Sequence, residues 1–413
     1  MEIGVEKRKY FCFNYISIAG LFLINLMRYN MIYLPIQYLR PGMTLAKSIA
    51  SSAGLLSLIV AGQKLTPSAI VRLRRAGIPG AYIQSSFGDD LVPEDFFEPE
   101  YKTRVITELK SVYTDFSRTH TFSNRHLDIS ADLAEDMVVK ILNKDEYLVN
   151  VVAIKDYDNY TYSHSMCVAV LSVLIGIRMG YSERELKELA LSGLLHDIGK
   201  VDIPIEIINK HGALTESEFA EIKKHPLKSV EHIRSCCALS QMVLAGVAEH
   251  HEKYDGTGYP YGLQGENICI YARILALADV YDALTSERAY RQAWSPSEAI
   301  EYMLTQGNTH FDYELLQTFL KTVVAYPVGS IIRLSDDSLG LVVRTSPDNT
   351  LRPVVRIIRS AGKAGKGDII DLSSDFSYLN VTVTGDFGRH EEDELPEDLV
   401  DLKEDKKLLK KVL

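Results

Sequence analysis

The hydrophobic positions of this chain fall into three regimes. From about Tyr101 to Leu320 apolar residues recur three and four apart. TRVITELKSVYTDF, ISADLAEDMVVKIL, HSMCVAVLSVLIGIRMG, ERELKELALSGLLHDIG, SQMVLAGVAEHHE, ICIYARILALADVYDALTS and PSEAIEYMLTQ all carry this spacing, which predicts an all-α body of many short helices. Ahead of it, residues 31–90 predict a small α/β unit. YLPIQYLRPGMTLAKSIAS alternates as strands do, LTPSAIVRLRRAGI reads as a helix with Thr66 as N-cap and Pro67 at its first position, and AYIQ returns as a short strand. From about Pro327 the period changes again. VGSIIRLSD, LGLVVRTS, RPVVRII, GDIIDL and LNVTVTG are short, rich in β-branched residues and separated by turn residues, which predicts a small antiparallel β barrel or sandwich of about five strands.

The expected organisation is therefore mainly α: a multi-helix domain at residues 151–325, flanked by the α/β unit at 31–90 and the β domain at 326–388, with 91–150 as a helical linker and 389–413 as a charged tail. Residues 1–30 stand apart. They have a basic start and an apolar stretch from about Phe11 to Met27 that is short for a spanning helix and interrupted by Asn14 and Asn25. An over-long start, with the true one at Met31, and a weak membrane anchor are both open readings; a signal peptide is disfavoured because no small-residue cleavage site follows. The glycine-rich run RSAGKAGKGD reads as a hairpin loop.

Composition narrows the function classes. A formal charge of -10 argues against a partner such as a nucleic-acid polymer, which demands basic surface. The cysteines, Cys12, Cys167, Cys236, Cys237 and Cys269, are odd in number and form no CxxC pair, so a reducing, cytoplasmic setting fits better than a disulfide framework.

Chemistry concentrates where polar residues interrupt apolar helices. His164 opens one such run, His196 and Asp197 end another, His225 precedes a proline, His250 and His251 close a third, and Asp279 lies inside a fourth. A buried imidazole or carboxylate without a partner costs several kcal/mol, and a divalent cation is such a partner. Five histidines and two aspartates exceed what one tetrahedral zinc takes, and suit two octahedral ions that share a carboxylate. Two ions roughly 3.5–4 Å apart can clamp a phosphodiester and generate a bridging hydroxide. Lys200 follows Asp197 at a spacing that puts both on one side if the helix continues, and Asp282 follows Asp279 in the same way, as an orienting carboxylate. His211, His232 and His310 read as structural or surface residues.

The adjacent His-Asp of HDIGK, with histidines before and after it and a later aspartate, resembles the HD superfamily of metal-dependent phosphohydrolases. The stretch HHEKYDGTGYPYGLQGENI sharpens this: it is similar to the HD-GYP subfamily, named for the tripeptide that here is Gly258-Tyr259-Pro260, and ARILALADVYDALTSERAYR and THFDYELLQTF continue the likeness over about residues 150–322. The resemblance implies an HD-type catalytic domain and cyclic di-GMP phosphodiesterase activity, giving linear pGpG or GMP. It implies that His164, His196, Asp197 and Asp279 hold one metal, and Asp197, His225, His250 and His251 the other, with Asp197 bridging. The metals would be iron first and manganese second. Asp197 and Lys200 would be catalytic, Lys200 contacting the substrate phosphate, and Tyr259, Arg288 and Arg291 would contact the dinucleotide.

Where some members place a glutamate to bind a third metal, this chain has Tyr160, so a dinuclear centre and pGpG as end product are expected. Gly256 and Gly258 are expected to let the chain turn and approach substrate, and Asp255 to cap that turn. Another HD phosphohydrolase and a non-catalytic cyclic di-GMP receptor are the alternatives. The end domains carry no such constellation and read as regulatory or dimerisation modules, which makes a homodimer and a protein partner the candidate assemblies.

Overall fold

A computed structural model describes residues 31–50, 57–88, 91, 95–151, 154–155, 160–210, 212–235, 239–286, 293–346, 349–388, 395–396 and 399. The first thirty residues, most of the charged tail, His211, Arg288, Arg291, Cys236 and Cys237 lie outside them.

The N-terminal unit pairs β1 (Met31–Pro35) antiparallel with β4 (Gly80–Gln84), and a short ladder joins β2 (Ile49–Ala50) to β3 (Ser57–Ile59). Between them α1 (Pro67–Arg75) starts as its sequence dictates, with Thr66 Oγ1 accepting from Ala69 N at 3.1 Å and proline at the first turn. Less of 33–51 is strand than its alternation suggests. After Pro35 the chain turns into a 3-10 segment at Ile36–Tyr38, where a proline φ sets the entry and the ladder with β4 ends.

The helical body runs α2 (Pro99–Thr119), α3 (Asn124–Leu142), α4 (Tyr160–Arg178), α5 (Glu183–Leu195), α6 (Ile205–Ile208), α7 (Glu216–Ile222), α8 (His225–Arg234), α9 (Gln241–Glu249), α10 (Ile270–Thr285), α11 (Pro296–Thr305) and α12 (Tyr313–Leu320). Its axis is α4, buried continuously from Ser163 to Gly176. By length and apolarity this helix is able to cross a membrane, yet 78% of its apolar window lies inside the protein, as a helix hydrophobic on every side does at the centre of a bundle. The neighbouring α5 starts in a reciprocal cap between Ser182 and Glu185 and approaches α4 closely: a Cβ on Gly193 would lie 2.6 Å from the Ala169 Cα. That approach delivers the C-terminus of α5, and the residues that follow it, to the flank of α4.

Residues 91–150 are not the linker that the sequence suggests. Val105, Leu109, Val112 and Phe116 of α2 and Leu133, Met137 and Ile141 of α3 belong to the same core as α4 and α5. Helical spacing reveals an apolar face but not its partner. Nor are the two ends separate modules. The C-terminal strands β5 (Ile331–Leu334), β6 (Leu339–Arg344), β7 (Val354–Arg359), β8 (Ile369–Asp371) and β9 (Val383–Asp386) form one antiparallel sheet in the order β8-β7-β6-β5-β9. Ile331, Leu339, Leu341 and Ile358 of that sheet share a core with Ile32, Leu34, Leu73 and Ile83 of the N-terminal unit. Tyr33 N donates to Gly329 O at 2.7 Å across this junction, and Arg356 Nη1 to Phe87 O at 2.8 Å. RSAGKAGKGD joins β7 to β8, antiparallel neighbours, as a hairpin loop does.

Candidate metal centre

Five elements bring the interrupting polar residues to one point. His164 sits one turn into α4, His196 and Asp197 follow the last turn of α5, His225 opens α8, His250 and His251 follow α9, and Asp279 lies within α10. Two groups of donor atoms result, Asp197 with His225, His250 and His251, and His164 with His196 and Asp279, each within 4.8 Å of one another.

Asp197 stands between the groups and addresses both. Its Oδ1 is 3.2 Å from His225 Nε2 and 4.0 Å from His250 Nε2. Its Oδ2 is 3.3 Å from His196 Nε2 and 3.6 Å from His164 Nε2. Asp279 also reaches both sides, with Oδ1 3.2 Å from His164 Nε2 and Oδ2 3.9 Å from His251 Nδ1.

The imidazoles are aimed from behind. His196 Nδ1 lies 2.8 Å from Gly193 O, His225 Nδ1 2.7 Å from Ile222 O and His250 Nδ1 2.8 Å from Val247 O. A carbonyl only accepts, so each Nδ1 carries a proton and each Nε2 faces the cluster. These are carbonyls three residues back, ones the helix ends leave free, so the C-terminal turns of α5, α7 and α9 each orient the histidine that follows. His164 Nδ1 is held instead by Asp282 Oδ2 at 2.7 Å, and Lys155 Nζ lies 3.4 Å from Asp282 Oδ1.

Electrostatics leaves a set of bases in want of a cation. Burial opposes ionisation of Asp197 and Asp279, yet the facing histidines, with Lys200 beside Asp197, hold both carboxyls well below the usual range. Burial, followed by the charges of neighbouring histidines, keeps His250 far below its ordinary value; burial likewise brings His251 down to about 3. His164 is the exception: burial would lower it, but hydrogen bonds with Asp279 and Asp282 push it up to about 9. Among the described residues, His196 Nε2 and Asp197 Oδ1 are buried with no hydrogen-bond partner. Buried polar atoms are seldom left so. Imidazoles, ionised carboxylates and buried atoms without a partner are the donor set that divalent ions take, and the residues present fit a divalent-metal site.

The remaining expected residues divide. Lys200 does not lie on a continued helix. The α-helix ends at Leu195, and residues 198–202 form a 3-10 turn. Its Nζ is still 2.5 Å from Asp197 Oδ2, because positions three apart eclipse in a 3-10 turn. Tyr160 occupies the position one turn before His164, and its ring stacks on that imidazole at 5.6 Å and 22°. Tyr259 stacks on His251 at 4.8 Å and 27°. Asp255 Oδ1 accepts from Thr257 N at 2.9 Å and caps the turn, and Gly256 takes the positive φ of 84° that the turn needs. Gly258 is explained differently from the expectation. A Cβ there would fall 2.2 Å from Lys253 N and 2.4 Å from Glu252 Cα, so its close approach is to the loop's own backbone. His232 pairs with Asp202 at 2.6 Å, and His310 stacks on Phe311; neither belongs to the two donor groups.

Two contributors carried no local signal. Lys155 is one, a nearly buried amine that also donates to Thr285 Oγ1 and Ser286 Oγ at 2.7 Å. Glu252 is the other. Its buried carboxylate accepts from Tyr261 N at 2.6 Å and from Gly262 N and Leu263 N at 3.1 Å, tying the glycine-tyrosine-proline loop to the end of α9. Glu252→Ala should therefore lower stability by about 1–3 kcal/mol, through amides that lose their acceptor. Chemical denaturation reads this, and an unmoved midpoint would contradict the anchoring role.

Comparison with known proteins agrees with this geometry. Residues 148–315 match the HD domain family, and residues 331–386 match the KOW domain associated with HD domain. A cyclic di-GMP phosphodiesterase of Pseudomonas aeruginosa is 36% identical over 259 residues, 63% of this chain and 62% of that protein. A cyclic di-GMP phosphodiesterase of Borreliella burgdorferi is 33% identical, over 55% of this chain and 58% of that one. A 3'3'-cGAMP-specific phosphodiesterase of Vibrio cholerae is 36% identical, over 49% of this chain and 37% of that one. The chain thus spans about six-tenths of the length of the first two relatives. Residues 148–315 thus form an HD domain, and their His-Asp pair, ordered histidines and Gly258-Tyr259-Pro260 loop keep the resemblance to the HD-GYP subfamily.

Proposed function

We propose that this chain is a metal-dependent phosphodiesterase that opens cyclic di-GMP to linear pGpG. The observation that carries the reading is Asp197, whose two carboxylate oxygens face two different sets of imidazoles. In this reading His164, His196, Asp197 and Asp279 hold one ion, and Asp197, His225, His250 and His251 the other, with iron first and manganese second. Bound there, the ions supply the Lewis acidity that activates a water and neutralises phosphate oxygens.

The chain's own residues do the rest. The backbone carbonyls and Asp282 behind the histidines fix the donor geometry before substrate arrives. Lys200, paired with Asp197 and partly exposed, is placed to contact the scissile phosphate. Attack of water on phosphorus breaks the bond to a ribose 3′-oxygen, which leaves with a proton from Lys200 or water. Tyr259, Arg288 and Arg291 contact the dinucleotide. Tyr160 offers a phenol where a third ion would need a carboxylate, so turnover stops at pGpG rather than running on to GMP. We assign the activity to the cytoplasm and give the N-terminal unit and the β domain a regulatory or dimerisation role, as sites for a second copy or a protein partner.

The Vibrio relative named for 3'3'-cGAMP makes that dinucleotide the specific competitor. Protein purified without oxygen, with its metal counted, is given each cyclic dinucleotide and its products are separated by chromatography. Accumulating pGpG is the expected result. GMP as main product overturns the Tyr160 argument alone, and metal without turnover of either dinucleotide overturns the phosphodiesterase reading.

A further inference from the structure

Resting on that reading, we propose that Phe219 and Lys223 form, with Tyr259, a nucleobase subsite that selects guanine at the mouth of the metal centre. Phe219 projects from α7 with 44% of its surface exposed, a large aromatic ring on a short helix with no buried residue. It meets the Tyr259 ring at 6.4 Å and 80°. Tyr259 in turn stacks on His251, a member of the donor cluster, so three rings lead outward from the metal centre to an open aromatic face. Every base has a π-face, and an exposed ring beside a phosphodiester site is what a base stacks on.

Lys223 gives the wall its chemistry. Its amine lies 4.7 Å from the Phe219 ring centroid and 5.5 Å from that of Tyr259. Neighbouring lysines each face a carboxylate: Lys210 faces Glu218, and Lys224 and Lys228 share Glu221. Among the described residues no carboxylate lies within 4 Å of Lys223. A phenylalanine and lysine four apart on an exposed helix are ordinary. What sets this pair apart is the third ring and the amine left over both rings without a counter-charge. An ammonium group only donates. Guanine presents O6 and N7 as two acceptors on one edge, whereas adenine replaces the first by an amino donor. A base stacked on Phe219 with that edge toward Lys223 is therefore accepted as guanine and penalised as adenine.

The test compares kcat/KM for cyclic di-GMP and cyclic di-AMP in the full chain loaded with metal. Lys223→Gln should shrink the guanine preference about tenfold, and Lys223→Arg, which keeps a donor, should restore most of it. Phe219→Ala should raise KM for both dinucleotides about tenfold or more, the loss falling on KM rather than kcat. Metal content per chain guards against unfolding in each variant. An unchanged guanine-to-adenine ratio in Lys223→Gln, or an unchanged KM in Phe219→Ala, overturns the subsite. Absence of turnover in the unaltered chain overturns the phosphodiesterase reading, and the subsite with it.

Discussion

An Asp197→Ala variant should remain folded, hold no pair of ions, and lose phosphodiesterase turnover by about a thousandfold or more. Among the described residues, no other single side chain reaches both donor groups through such short contacts from each oxygen: 3.2 Å to His225 on one side and 3.3 Å to His196 on the other. Its removal would take a ligand from each ion of the proposed pair, and it takes away the negative charge that stands between four buried imidazoles. His196 and His250 stand 4.9 Å apart, and His225 and His250 5.3 Å apart, so without that carboxylate the cluster no longer gathers a pair of cations. Elemental analysis, circular dichroism and turnover separate the effects. Turnover retained in a metal-free Asp197→Ala protein would refute the scheme. Asp197→Asn, of the same shape, tests whether charge rather than packing is at stake.

The second large effect is expected at Asp282, which touches neither donor group's open side. It lies between Lys155 Nζ, 3.4 Å from Oδ1, and His164 Nδ1, 2.7 Å from Oδ2. Asp282→Ala strands a nearly buried ammonium and frees the His164 ring to rotate. Breaking a buried pair by removing one partner costs about 3–5 kcal/mol, and losing the carboxylate behind a ligand histidine costs about 10–100-fold in metal affinity or activity. Lys155 retains the hydroxyls of Thr285 and Ser286, which places the stability loss toward the low end of that range. Denaturation midpoints and a metal titration read the two losses separately. A variant with unaltered stability and unaltered metal affinity would show that the Lys155–Asp282–His164 chain does not orient the site. Asp282→Asn keeps an acceptor for the imidazole and should lose less.

Much of this centre was legible in the sequence because it is built from local rules. Histidines at the ends of apolar helices are what a bundle uses to converge ligands, and His164, His196, Asp197, His225, His250, His251 and Asp279 all meet at one point. The spacing of Lys200 and Asp197 predicts their contact on a continuing α-helix, and a 3-10 turn delivers it instead. What stayed hidden depends on distant partners. Nothing in IKDYDNY marks Lys155 as the counter-charge of a carboxylate 127 positions later. Nothing in HHE distinguishes Glu252, which holds a loop, from the two histidines beside it. The apolar face of α2 announces a helix but not that it packs on the core built around α4 and α5. The β-branched runs specify five antiparallel strands, which form one sheet rather than the expected barrel or sandwich, and the core that this sheet shares with Ile32, Leu34, Leu73 and Ile83 has no sequence signature.

The most direct test of the dinuclear centre is anomalous X-ray scattering from crystals of oxygen-free protein, recorded at the absorption edge of the bound metal. Two peaks about 3.5–4 Å apart, one on each side of the Asp197 carboxylate, are the result this account predicts. A single peak, a third peak beside Tyr160, or density that leaves Asp197 outside the ligand shell would contradict it.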